Sequence, residues 1–159
     1  MTTPAGPAGR LALVVFVDPV ECLWLRPLRR GFRHCFAALQ DGAHWLVCDP
    51  LKDRIRLTVL ELPPGFDLAH YYAAQGHHVL IGHFRESRNR RPLPPVPLTC
   101  VNVIKRLLTI DAPMAFTPWQ LYRHLLRQRG LWRPVGPNAS ASNDQKVRLT
   151  LDNGRGLGI

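Results

Sequence analysis

A chain of 159 residues is long enough for one ordinary domain with a core of its own. Its hydrophobic content of 46% excludes a wholly disordered chain, and no apolar run is long enough to span a bilayer. The formal net charge of +10, carried mainly by arginine, suits either contact with a polyanion or simply a well-solvated basic surface.

Residues 1–10 (MTTPAGPAGR) read as a flexible N-terminal tail. They carry no positive cluster beyond Arg10 and no clear small-residue cleavage site, so the expectation is an unprocessed, soluble, cytoplasmic chain in a reducing setting. Leu11 to Val17 (LALVVFV) reads as a buried strand ended by Asp18-Pro19. Residues 32–39 and 44–49 are two apolar strands around Asp41-Gly42, the dipeptide favoured in two-residue type I′ hairpins. Arg54 to Leu62 alternates as a further strand, which Pro63-Pro64-Gly65 breaks.

Asp67 is placed to cap a short helix, DLAHYYAAQ, which Gly76 ends. His77 to Phe84 reads as another strand, and Arg85 to Leu98 as a loop rich in Arg and Pro. A helix runs from Thr99 to about Leu108. The last helix starts at Thr117, where TPWQ combines an N-cap threonine, a first-turn proline and a capping-box glutamine. Trp119, Tyr122 and Leu126 recur on it at helical spacing and are expected to face the core. Residues 132–159 show no periodic apolar pattern and read as a flexible C-terminal tail. The fold expected is therefore one α+β domain over residues 11–131: an antiparallel sheet with three helices, one carrying Cys100 at its N-terminus.

Four cysteines, Cys22, Cys35, Cys48 and Cys100, show no C-x-x-C spacing, which argues against a zinc ribbon or a thioredoxin motif. Cys100 is different from the rest because a helix N-terminus favours a thiolate. A histidine brought against it would take its proton and activate the sulfur. His34 is the candidate. If Asp41 and Gly42 form the hairpin loop, Gln40 faces Ala43 and His34 lies directly opposite Asp49, on one sheet face. Asp49 would then fix the imidazole's orientation while the other ring nitrogen meets Cys100. The same register sets Phe36 opposite Val47 and Ala38 opposite Trp45 as an apolar floor. It also sets Cys35 opposite Cys48 on the other face, as two reduced thiols or a cross-strand disulfide. A core histidine with a strand-end aspartate and a small buried cysteine is the competing account of the three residues.

The arrangement of His34 in FRHCFAAL, Asp49 in HWLVCDP and Cys100 in TCVNVIKRLL resembles the circularly permuted, papain-like branch of the NlpC-type cysteine hydrolases, which includes the lecithin:retinol acyltransferase-like proteins. The resemblance spans roughly residues 30–110 and implies a permuted papain-like fold with Cys100 as nucleophile, His34 as general base and then acid, and Asp49 as its orienter. Relatives often carry histidine as the third member, which makes His44 a rival to Asp49. The chain departs from the acyltransferase group at the nucleophile, with Thr99-Cys100-Val101-Asn102 in place of an Asn-Cys-Glu-His-like string, and this argues against retinoid or phospholipid acyl transfer. The TCVNVIKRLL and TPWQLYRHLL segments also resemble small uncharacterised phage-encoded proteins, which implies a cell-wall peptide or amide substrate, or a virion or tail role.

Among seven histidines, none shows the His-x-x-x-His spacing of a helical metal site, and no metal or cofactor is expected. Arg85, Arg88, Arg90 and Arg91 in RESRNRRPLPP are the strongest candidates for contact with a polyanion or an acidic substrate. No aromatic residue is interleaved with them, which argues against single-stranded nucleic acid. Two functions are thus expected from the sequence. The first is a cofactor-free thiol hydrolase, an amidase or peptidase (or thioester-forming acyl transferase), acting on a small peptide or acyl-amide. The second is a non-enzymatic basic binding module, phage virion or tail-associated, on the same fold.

Overall fold

The computed structural model describes residues 9–18, 27–84, 99–128 and 130–136. These form strands β1 (Arg10–Val17), β2 (His34–Asp41), β3 (His44–Pro50) and β4 (Ile55–Glu61), helix α1 (Leu68–Ala74) and strand β5 (His78–Phe84). Helices α2 (Cys100–Leu107) and α3 (Pro118–Arg127) and strand β6 (Trp132–Val135) follow. The expected loop arginines Arg85, Arg88, Arg90 and Arg91, the cysteine Cys22, and most of the two expected tails lie outside the described residues.

The six strands make one antiparallel sheet in the order β4-β3-β2-β1-β5-β6. β1 is central, and Ala12, Leu13, Val14, Val15 and Phe16 are fully buried. Its unbroken apolar run is explained by cover on both faces. One face packs Leu13, Val15, Phe36, Ala38, Trp45 and Val47 against Leu68, Ala69, Tyr72 and Ala73 of α1. The other packs Val14, Phe16, Cys35, Ala37 and Leu80 under α2 and α3, through Val101, Ile104, Leu121 and Leu125.

The helices start where their caps require. The Asp67 carboxylate accepts from the His70 N–H at the start of α1, and Thr99 Oγ1 accepts from the Asn102 N–H at the start of α2. Thr117 and Gln120 form a reciprocal capping box on α3, with Pro118 in the first turn. Trp119 and Tyr122 of α3 are only partly buried against the core and Leu126 is exposed; Leu121 and Leu125 are the residues that reach its centre. The apolar stripe of α3 is therefore centred about one residue away from the expected line.

Three other expectations are corrected. The hairpin loop is Gly42-Ala43, so Asp41 pairs with His44 and Gln40 with Trp45. Gly42 has φ +60°, and Thr109 is the sole non-glycine residue with positive φ among those described. A glycine with positive φ at the first loop position, followed by an ordinary residue, is the pattern of a type II′ turn, whereas the expected type I′ turn on Asp41-Gly42 would force Asp41 to positive φ as well. The register consequently moves by two residues: Ala37 faces Cys48 and Ala38 faces Val47. Cys35 and Cys48 are not opposed, and both are free and buried. Finally, β6 occupies part of the expected tail. It adds to the sheet through β5, with Trp132 opposite Gly82, where the missing side chain makes room for the indole.

Candidate active site

His34 is the first residue of β2 and Asp49 lies near the end of β3, so both stand at the end of the sheet remote from the hairpin turn. The shift of register by two residues keeps them on the same face, as diagonal rather than directly opposed neighbours. Diagonal positions lie within reach of long side chains. Accordingly, His34 Nε2 and Asp49 Oδ1 are 2.6 Å apart, with both side chains largely buried. The rival third member, His44, is at the turn end of β3, half exposed and 3.7 Å from Glu61.

Cys100 is the first residue of α2, partly buried against the cluster that contains Cys35. Its thiol is pulled down to about 5, chiefly by hydrogen bonding from the Cys35 thiol, against the opposing effect of burial, and then by hydrogen bonding and charge from His34. Burial pushes His34 the other way, but hydrogen bonds to Asp49 and Cys100 outweigh it and raise the imidazole to about 9. With Nε2 taken by Asp49, Nδ1 is the ring nitrogen left for Cys100. Between these two values the favoured state is a thiolate beside an imidazolium.

Cys35 is the participant that sequence reasoning missed, having paired it with Cys48 as a reduced thiol or a cross-strand disulfide. It is fully buried, and burial followed by the neighbouring Cys100 holds its own thiol well above the ordinary value, so it stays a protonated donor. It follows His34 directly in β2, so its side chain points to the other face of the sheet, under α2. On the α1 side of the sheet the rings of Phe36 and Tyr72 meet edge-on at 5.3 Å. Burial, with smaller effects of Tyr71 and Asp49, raises the Tyr72 phenol to about 12, which keeps it neutral.

Comparison with family models, with curated proteins and with solved structures returned no match. The site therefore stands on its geometry.

Two surface grooves lie away from it. One is lined by residues including His77, His78, Tyr122 and Val135, the other by residues including Trp45, Phe66 and Asp67; neither includes Cys100, His34 or Asp49. No group of three or more His, Cys, Asp or Glu side chains converges as a metal site among the described residues. No helix among them is long and apolar enough to cross a membrane.

Proposed function

We propose that this protein is a cysteine-dependent hydrolase of permuted papain-like type, acting on an amide or ester carbonyl through Cys100, His34 and Asp49. The observation that carries the reading is the joining of three side chains from three separate elements. Asp49 holds His34 at 2.6 Å, and His34 in turn engages Cys100. A core histidine satisfied by an aspartate needs no ionised thiol on its other nitrogen.

The Cys100 thiolate attacks the carbonyl carbon. The first-turn amides of α2 follow from its capping. Thr99 accepts the Asn102 N–H through its hydroxyl and the Val103 N–H through its carbonyl. The amides that precede them, those of Cys100 and Val101, are the donors we assign to the developing oxyanion, where the helix dipole adds to their effect. The His34 imidazolium gives its Nδ1 proton to the leaving amine or alcohol, and a thioester to Cys100 remains. Neutral His34 then takes a proton from water, which releases the acid and restores the ion pair. Asp49 keeps Nε2–H engaged throughout and steadies the imidazolium.

Alkylation followed by mass spectrometry tests the reading. At pH 6, Cys100 is expected to react at least about tenfold faster than Cys35 and Cys48, because only a thiolate is nucleophilic. Replacing His34 by alanine should slow Cys100 selectively. Equal, slow reaction of all three thiols would remove the basis for catalysis and leave the basic binding module as the better account.

A further inference from the structure

The two edges of the sheet are built differently. β6 is four residues long and contains Arg133 and Pro134, so it offers little backbone for another strand to join. β4, at the other edge, is seven residues long, contains neither proline nor glycine, and has Arg56 as its one charge before Glu61. Alternate N–H and C=O groups of such a strand point away from the sheet. On the face shared with α2 and α3, Ile55, Leu57 and Val59 are 49%, 73% and 58% exposed, and Leu46 of β3 adjoins Val59 at 37%. Among the described residues no strand pairs with its outer side, and a long, apolar edge of this kind is an association surface.

We propose that β4 is the interface of a homodimer, formed by antiparallel pairing with β4 of a second copy about a two-fold axis through Thr58. This register is self-complementary. Leu57 faces Val59 of the other copy twice over, Thr58 faces Thr58, and Arg56 faces Leu60. It keeps both apolar stripes on one face of a continuous twelve-stranded sheet, whereas a shift by one residue would put them on opposite faces. Charge selects the same orientation. The basic end of β4, with Arg54 and Arg56, meets the end that carries Glu61; a parallel pairing would set these arginines against their own copies. Because β6 blocks the other edge, the contact is isologous and closes at two copies instead of growing into a filament.

Sedimentation velocity on the full chain over a range of concentrations tests the proposal. A species of twice the 18.0 kDa chain mass should grow with concentration. Leu57→Lys should raise the dissociation constant at least about tenfold, because it replaces the two apolar contacts with Val59 and sets two like charges beside each other across the two-fold axis, while leaving the melting temperature of the monomer unchanged. Thr58→Cys should give a covalent dimer on mild oxidation, its linkage mapped to residue 58 of both copies, since facing strand residues match disulfide spacing. A chain that stays monomeric throughout would overturn the proposal, whether or not an extended peptide of another protein adds to β4. So would a dimer indifferent to Leu57→Lys, or one with no 58–58 linkage.

Discussion

The Cys35 thiol is the hydrogen-bonding partner that does most to hold Cys100 as a thiolate. The two residues come from the start of β2 and the start of α2, and they are driven in opposite directions. Burial and its neighbour keep Cys35 protonated, and the proton it keeps is the one it offers to Cys100. A donor that cannot itself ionise is a fixed dipole aimed at the charge, which needs no reorganisation when the thiolate forms. Cys35→Ala should therefore move the Cys100 titration midpoint upward from about 5 toward its ordinary 9.0. Cys35→Ser, which retains an O–H donor, should recover part of the loss. Alkylation rate against pH reads both variants, and a midpoint unmoved by Cys35→Ala would contradict the assignment.

Asp49 acts on the other partner. Burial alone would depress His34, and the bond to Asp49 is the largest of the effects that reverse it. Asp49→Asn keeps the shape of the carboxylate and removes its charge, so the imidazolium should release its proton at a pH below about 9. Proton NMR of the His34 ring through a pH titration measures the midpoint directly. In the wild type, the pH dependence of any turnover should rise near 5 and fall near 9. In the variant the upper limb should move down while the lower limb moves less. An unshifted upper limb would show that Asp49 does not act through His34.

The same ion pair gives stability a particular dependence on pH. His34 is raised from 6.5 to about 9, so its contribution is complete below about 6.5 and is lost as pH rises through about 9. Cys100 is lowered from 9.0 to about 5, so its contribution is present above about 9 and is lost as pH falls through about 5. Between about 6.5 and 9 the two slopes cancel, because the folded thiolate–imidazolium and the unfolded thiol–imidazole hold the same number of protons. Between about 5 and 6.5 only the thiol differs, and stability falls with acidification by about 2 kcal/mol. Cys100→Ser lacks that titration. The stability gap between wild type and variant in urea denaturation should shrink by this amount from pH 6.5 to pH 5, and a constant gap would count against the ion pair.

Local chemistry was what made most of this site readable. Asp67, Thr99 and Thr117 each cap a helix through a bond between neighbouring residues, so the helix starts, Cys100 included, are written within four residues of sequence. The hairpin was legible as a hairpin but not in register, because Asp41-Gly42 can enter a turn with either residue leading, and only the backbone of Gly42 decides it. His34 and Asp49 still meet because a slip of two residues preserves the face. The contact between Cys35 and Cys100 was not legible. It depends on how α2 crosses the sheet, and no pattern within one segment records that. The strand at Trp132 was missed for a related reason: WRPV has too little alternation to declare itself, and its indole packs directly on Gly82.

That close contact yields the most direct structural test. A Cβ built on Gly82 would lie 2.5 Å from two atoms of the Trp132 ring and 2.6 Å from the Leu131 carbonyl oxygen. The indole is almost fully buried and the carbonyl is backbone, so neither can swing aside as the tip of a flexible side chain would. Gly82 does not have positive φ, and alanine is therefore opposed by contact alone. Gly82→Ala should push β6 off β5 and cost about 1–3 kcal/mol, the range for overpacking a filled core. Trp132→Ala in the same background clears the ring atoms, so it should add less to the loss than Trp132→Ala costs in the wild type. Chemical denaturation of the four proteins gives the coupling, and strictly additive losses would mean that the indole does not rest on Gly82.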